Sequence, residues 1–331
     1  MSFQVSLQEK IARIIETCRS ENPCEIEVRY NEPMAAHSTF KTGGPADCWL
    51  RPVGDGFPAF AAALLAAARA AKIPLFFLGG GANILIADAG IRGIVLDLNG
   101  WAGEEKRPQK NQNENRQNQT LCFRAGTNLD AAANTAAEAG LSGMEFLAGM
   151  PGSIGGAVWM NARCYGQEIA DVLTETEIID FSGTEPALIN SAANRGEFGY
   201  KHSPFQSMDA MILSASFKLT AGNKDQTIAK MDSYRKDRES KGHYRFPSAG
   251  SVFKNNPDFG KPSGKIIDEL GLCGLQIGGA QVAPWHGNII INTDAASSAD
   301  IRLLVNEVAA RVNAATGFNL EPEILFIGEW N

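Results

Sequence analysis

The apolar run Pro74-Leu75-Phe76-Phe77-Leu78 passes without a break into Gly79-Gly80-Gly81-Ala82-Asn83. No other stretch constrains the fold as strongly. A short apolar run bounded by turn residues reads as a buried strand. A strand ending in three glycines presents backbone N–H groups with no side chains over them, a nest that receives phosphate or pyrophosphate oxygens. The run is not GxGxxG, because no glycine stands where the third belongs, and it is not a GxxxxGK[ST] loop. Taken alone, it is equally well a tight turn.

Two further stretches have the same character: Thr39-Phe40-Lys41-Thr42-Gly43-Gly44-Pro45-Ala46, and Gly149-Met150-Pro151-Gly152-Ser153-Ile154-Gly155-Gly156. Glycines clustered in this way mark close backbone approach or tight turns. Three such turns, each beside a strand, suit one extended ligand with a pyrophosphate and a large ring. A dinucleotide such as FAD fits that shape better than a mononucleotide.

Composition narrows the partners. The 331 residues carry a net charge of -7 with 44% hydrophobic content, enough chain for two or three domains. A nucleic-acid binder would show a basic face, so that class is excluded. The local cluster Arg235, Lys236, Arg238, Lys241 and Arg245 is mixed with acids and reads as a solvated helix face. The six cysteines form no CxxC pair and histidines are few, so no metal site is expected and the thiols read as reduced. Met1–Ser20 is an amphipathic helix candidate without a signal-peptide core, and no long apolar run follows. A cytoplasmic protein without membrane partners is expected.

Along the chain, Cys48–Pro52 reads as a strand, Phe57–Ala71 as an Ala-rich helix and Ile94–Leu98 as another strand, an α/β order. Gly103–Thr120 is polar and without apolar periodicity, a solvated or disordered insertion. A strand over Leu121–Gly126 and a helix over Leu129–Ala139 follow it, then strands over Thr176–Phe181 and Met211–Leu219. Asn223–Lys241 reads as a charged helix leading into a new domain. Lys265–Leu270 is a helix closed by Gly271, and Ile289–Asn292 a strand. Ala299–Ala315 is a helix capped by Ser297 or Ser298 and ended by Gly317. Leu320–Gly328 reads as a final strand.

Two segments offer chemistry beyond ligand binding. Pro247-Ser248-Ala249-Gly250-Ser251-Val252-Phe253-Lys254-Asn255 sets a hydroxyl after a flexible Ala-Gly step, with no base beside it to make Ser251 a nucleophile. In Leu320-Glu321-Pro322-Glu323-Ile324-Leu325, Glu323 begins a strongly apolar strand. A carboxyl partly buried there can serve as an acid near neutrality, although spacing alone favours an exposed strand-end carboxylate.

In this order the segments TFKTGGPA, FLGGGANIL, GMEFLAGMPGSIGGAVWMNA, FGYKHSPF, PSAGSVFKN, GLQIGGAQV with HGNIIIN, and LEPEILFIG resemble the UDP-N-acetylenolpyruvoylglucosamine reductase (UDP-N-acetylmuramate dehydrogenase) family. The resemblance runs from about Ser38 to Gly328 and is to the shorter type, which lacks an extra tyrosine loop. It implies an α+β chain: two α/β subdomains with the FAD-binding fold of the vanillyl-alcohol-oxidase/p-cresol-methylhydroxylase type, plus a C-terminal α+β substrate-binding domain. The expected boundaries are 1–98 with the N-terminal helix, 99–222 with the polar insertion 103–120, 223–318 for the substrate domain, and 319–331 for a strand returning to the FAD-binding part.

The resemblance further implies FAD and NADPH as cofactors and UDP-N-acetylglucosamine enolpyruvate as substrate, reduced to UDP-N-acetylmuramate for peptidoglycan by a monomer. Hydride passes from flavin N5 to the vinyl carbon, and a serine, here Ser251, gives a proton to the adjacent carbon. Placement and a stabilised alkoxide matter more for such a donor than acidity; Lys254 and neighbouring N–H groups are candidates to stabilise it. Glu323 matches the family's catalytic glutamate. The cofactor would be held by Thr42, Gly43, Gly44, Gly79, Gly80, Gly81, Ala82, Asn83, Ile84, Gly149, Pro151, Gly152, Ser153, Gly155 and Gly156. The substrate would be held by Tyr200, Lys241, Asn255 and Gln276.

Two departures stand out. Lys201 occupies the place of an arginine that polarises the substrate carboxylate; the charge is kept and the bidentate fork is lost. A homologue that binds flavin with reduced or no turnover is the alternative this substitution raises. Ala82 replaces a serine, removing one phosphate hydrogen bond worth roughly 1 kcal/mol.

Overall fold

Ser6 opens the first helix, Leu7–Glu21, through a capping box. Its hydroxyl accepts from the Glu9 N–H, while the Glu9 carboxylate accepts from the Ser6 N–H at 2.9 Å, so two otherwise orphaned donors are satisfied. The structure, a computed structural model, describes residues 6–106 and 118–330. Most of the predicted polar insertion and the first five residues lie outside the described residues. The chain forms two units: Met1–Tyr30, Asp47–Gly80 and Gly93–Arg235 make the first, and Asn31–Ala46, Gly81–Arg92 and Lys236–Asn331 the second. The second unit thus gathers three separated stretches of chain.

The first unit is built on two sheets. One has the strand order Ile26–Pro33, Pro45–Pro52, Ile91–Asp97, Leu75–Leu78, and its last pair is parallel. The helix Phe57–Ala70 buries Phe57, Phe60, Ala61, Leu64, Leu65 and Ala68, the stripe that 3.6-residue periodicity dictates. The other sheet runs Ala187–Ala192, Leu173–Asp180, Ala210–Ala221, Asn118–Arg124, antiparallel throughout. Its fourth strand begins at Asn118, three residues before the predicted start, because Asn118, Gln119 and Thr120 pair with Thr220, Leu219 and Lys218. Ladder pairing extends the strand beyond the apolar residues that signal it. One continuous core, with Phe123, Phe146 and Phe217 fully buried, serves both sheets.

The second unit holds an antiparallel sheet, Ser248–Ser251, Ile289–Asn292, Ala280–Val282, Gln276–Ile277. The helix Ser298–Thr316 buries Ile301, Leu304, Val305, Val308 and Val312 in this unit's core. Ser297 is its cap, and Gly317 ends it in the left-handed conformation at φ 76°. Asp88 reinforces the start by accepting from the N–H groups of Ser298 and Ala299 at 2.8 and 2.9 Å, where a carboxylate also meets the positive end of the helix dipole. The predicted final strand is shorter than its apolar run. Leu325–Ile327 pairs in parallel with Ile84–Ile86, whereas Pro322 forms only a single bridge to Phe253. Pro322 has no N–H to give a ladder. Among the described residues no helix is long and apolar enough to cross a membrane.

Candidate active site

In the first unit the strand Leu75–Leu78 delivers Gly79 and Gly80 against the loop that holds Gly152 and Ser153. A Cβ on Gly79 would lie 2.3 Å from Ser153 Oγ, and one on Gly80 would lie 2.6 Å from Gly152 Cα. Gly80 thus lets two backbones touch, and Gly79 leaves room for the Ser153 hydroxyl. Asn99 Nδ2 donates to the Gly79 carbonyl at 2.9 Å. Ser153 caps the helix Ile154–Met160, its Oγ accepting from Gly156 N–H. Gly149 N–H donates to Asp130 Oδ1 at 2.7 Å. Gly155 N–H donates to Ala125 at 2.8 Å, and Gly155 lies so close to Ala125 that a Cβ would come within 2.9 Å of it. Pro151 is exposed at the rim. The N–H groups of Gly80, Gly152 and Ser153 meet no protein acceptor among the described residues.

The second unit contributes its own glycine loops. Gly81 has φ +61°, with the His37 carbonyl 2.1 Å from where a Cβ would stand. Its carbonyl accepts from Thr39 N–H at 3.1 Å. Gly43 lies against Ile86, and Gly44 against the backbone of Asp88. Thr42 is 4% exposed, and its Oγ1 is buried without a hydrogen-bond partner. A buried hydroxyl with no partner in the protein points to a ligand oxygen. Ala82 has no hydroxyl, and its N–H meets no protein acceptor among the described residues. Each unit thus offers unclaimed donors, which a pyrophosphate requires, so the residues present fit FAD. Asn83 turns the other way: its Nδ2 donates to the Glu323 carbonyl at 3.1 Å and its carbonyl accepts from Leu325 N–H at 3.0 Å. Ile84, next in line, is buried and pairs with Leu325.

The same unit brings Ser251 and Glu323 together through one peptide. Glu323 N–H donates to the Val252 carbonyl at 2.7 Å, and Phe253 bridges Pro322. Ser251 is half-buried, at the end of a strand whose ladder slips between Ser248 and Ser251. The extra residue is taken up where Gly250 adopts φ +71°. A bulge of this kind re-aims the side chain that follows it. Among the described residues no side chain hydrogen-bonds the Ser251 hydroxyl, so no base addresses it. Glu323 is 8% exposed, which corrects the expectation of an exposed strand-end carboxylate: the Phe253–Pro322 bridge covers the segment that spacing leaves open. The expectation of neighbouring N–H groups also needs correction. Those of Val252 and Phe253 are both taken by Asn288, so neither is available to an alkoxide, whereas the Lys254 ammonium pairs with Glu321 and has further N–H donors beside that pair.

Lys201 belongs to the first unit. Tyr200 and Lys201 form the tip of a tight turn in which Gly199 and His202 exchange backbone hydrogen bonds of 3.0 and 3.1 Å. Lys201 has φ 56°, left-handed for a non-glycine residue, a strain of the sort retained at functional sites. Two amides hold the turn. Asn161, fully buried, donates to the Gly199 carbonyl at 2.8 Å and to Glu168, and accepts from Ala170 N–H at 3.1 Å. Gln206 Nε2 donates to the carbonyls of Lys201 and Trp159, each at 3.1 Å. Sequence reasoning gave neither amide a role. The signal for Asn161 was present, because asparagine is the residue besides glycine that tolerates a left-handed helix end.

The remaining expected substrate residues lie in the second unit. Lys241 is exposed and pairs with Asp237 at 2.7 Å. Asn255 Oδ1 accepts from Ser263 N–H at 2.9 Å, at the start of the helix Ser263–Glu269. Gln276 is exposed, its Nε2 donating to the Gly278 carbonyl. Beyond Lys241, burial first, then the positive charges of Arg238, His286 and Lys241, hold His243 down at about 4, against a smaller opposing pull from Asp237. The folded protein therefore refuses a proton that the unfolded chain binds. Stability from this group is present above the unfolded value of 6.5, declines as pH falls towards about 4, and levels off below. With its partial exposure discounted, His243→Gln should remove about 1–2 kcal/mol of acid destabilisation. Urea denaturation across that pH window should show a flatter curve for the variant than for the parent.

Comparison with known proteins identifies the family. Residues 59–188 match a family model described as an FAD binding domain. Residues 242–327 match one described as the UDP-N-acetylenolpyruvoylglucosamine reductase C-terminal domain. With the loops described above, the protein is an FAD-dependent oxidoreductase. The chain is 40% identical to the UDP-N-acetylenolpyruvoylglucosamine reductase of Treponema denticola, covering 92% of this chain and 94% of that one. It is 40% identical to that of Treponema pallidum, at 91% and 94% coverage. The crystal structure of the Thermus caldophilus reductase superposes with a TM-score of 0.68 at 30% identity, over 92% of this chain and 99% of that one. The chain belongs to the UDP-N-acetylenolpyruvoylglucosamine reductase family.

Proposed function

We propose that the protein reduces UDP-N-acetylglucosamine enolpyruvate to UDP-N-acetylmuramate in the cytoplasm, with NADPH as reductant, for peptidoglycan synthesis. The observation that carries this reading is the joining of Ser251 and Glu323 through the Val252 peptide, in a chain of this family. FAD, when bound, supplies the hydride chemistry between NADPH and the vinyl carbon. The Thr42 hydroxyl and the N–H groups of Gly80, Ala82, Gly152 and Ser153, which no protein acceptor takes, are the donors for its pyrophosphate. Lys201 neutralises the substrate carboxylate, so that charge building there in the transition state meets a fixed cation. Ser251 gives its proton to the adjacent carbon, and Glu323, held in place by its backbone, hydrogen-bonds the intermediate through its carboxyl proton or acts as an acid near the substrate carboxylate. Tyr200, Lys241, Asn255 and Gln276 bind the sugar nucleotide.

Anaerobic titration tests the reading. NADPH should bleach the flavin band, and UDP-N-acetylglucosamine enolpyruvate should restore it with stoichiometric UDP-N-acetylmuramate. Lys201 favours a second reading, a flavin-binding homologue with little turnover; bleaching without reoxidation by the sugar nucleotide would select it. If Lys201 is the clamp, Lys201→Arg should maintain or raise turnover, since arginine restores the two-point contact. A collapse in steady-state rate would show that the position has adapted to lysine.

A further inference from the structure

We propose that Asn288 is a positioning residue for the proton donor, fixing the backbone from which Ser251 projects; the inference rests on the reading of Ser251 as that donor. Ser251 ends a strand whose ladder has slipped, its pairing passing from Ser248–Ile291 to Ser251–Ile289, so regular sheet bonding does not hold the peptides that follow it. Asn288 replaces the missing ladder. Its carbonyl accepts from Val252 N–H at 2.9 Å. Its Oδ1 accepts from Phe253 N–H, and its Nδ2 donates to the Phe253 carbonyl, both at 2.8 Å. The remaining polar group of these two peptides, the Val252 carbonyl, accepts from Glu323 N–H at 2.7 Å. Every backbone donor and acceptor of Val252 and Phe253 is thereby committed, three to Asn288 and one to Glu323.

The clamp is itself held firmly. Asn288 is 3% exposed, and its own N–H donates to His286 Nδ1 at 3.1 Å. Gly264 leaves only 3.1 Å between a notional Cβ and Asn288 Cβ, so the following helix confines the side chain. Only a primary amide of this length both gives and takes a hydrogen bond on the two sides of one residue. Errors of about 1 Å in such placement cost on the order of 100-fold in rate.

Asn288→Asp separates positioning from folding. The ionised carboxylate cannot donate to the Phe253 carbonyl and repels it, whereas the protonated carboxyl restores the donor. In anaerobic stopped flow on the flavin-loaded protein, NADPH bleaching should stay within about twofold of the parent, while reoxidation by the enolpyruvyl sugar nucleotide slows about 10–100-fold. That slowed step should recover as pH is lowered, a limb that the parent should lack. Asn288→Ser, which keeps a shorter donor and acceptor, should show the same one-sided loss without the acid recovery and serves if the aspartate variant does not fold. Equal loss in both half-reactions, with a matching fall in thermal midpoint by circular dichroism, would make Asn288 merely structural and overturn the proposal. So would unchanged reoxidation. Ser251→Ala run alongside keeps the premise separate: if that variant reoxidises normally, the proton-donor reading fails.

Discussion

Ser251→Ala is expected to leave NADPH-driven bleaching of the flavin nearly intact and to cut product formation by roughly 10²–10⁴-fold, the range that a positioned general acid supplies. The split follows from where the residue stands. The glycine loops of the first unit, proposed to hold the cofactor, contain none of the Ser251 segment, which belongs to the second unit's sheet. Losing one oxygen from a half-buried site leaves the bulge at Gly250 and the Asn288 bonds in place. Stopped-flow absorbance of each half-reaction, with product quantified by chromatography, measures the effect. Equal slowing of both halves would remove Ser251 from proton delivery, and rapid product formation would remove it from the reaction altogether.

The second large effect is expected at Gly80. A methyl group there would stand 2.6, 2.9 and 3.2 Å from Gly152 Cα, C and N, all backbone atoms with no flexible end to move aside. The two loops must part, at a cost of about 1–3 kcal/mol. The unclaimed N–H groups of Gly80, Gly152 and Ser153 would then move apart. Gly80→Ala should purify with little or no yellow colour and retain FAD about 10–100-fold more weakly, each 1.4 kcal/mol being tenfold. Flavin content after gel filtration and FAD titration by fluorescence quenching measure it. Full flavin retention with a parental melting curve would mean that these loops do not hold the pyrophosphate.

Much of the fold was legible because its signals are local. An apolar run into Gly79-Gly80-Gly81, the Ala-rich stripe from Phe57, and the i, i+3, i+4 spacing from Ile301 each report on a few neighbouring residues. Most of the expected strands, helices and glycine turns stand close to their places, although the final strand is shorter and the strands Ile26–Pro33 and Ala187–Ala192 were not expected. What could not be read depends on pairing between distant segments. The burial of Glu323 comes from the bridge between Phe253 and Pro322, and the occupation of Lys254 from Glu321. Phe253 and Glu321 are each far in sequence from the residue they affect. Asn161, Gln206 and Asn288 escaped for the same reason, since each amide also bonds backbone groups far along the chain, at Gly199, Trp159 and Phe253. Polar residues between glycines and apolar strands look alike until their acceptors are known.

The short helix Ile154–Met160 joins two of these settings. Ser153 at its start lies in the glycine loop proposed to hold the cofactor, and the Trp159 carbonyl at its end accepts from Ser203 at 2.6 Å and from Gln206 at 3.1 Å. Asn161, just beyond, grips the turn that bears Lys201. Seven helical residues at 1.5 Å each make a strut of about 10 Å. The helix is therefore a ruler, setting the span from the loop to the lysine turn in units of whole residues. Inserting or deleting one residue would alter that span by about 1.5 Å and swing the far end by about 100°. Substitutions on this helix are tolerable where packing allows, but its length is a fixed quantity of the catalyst.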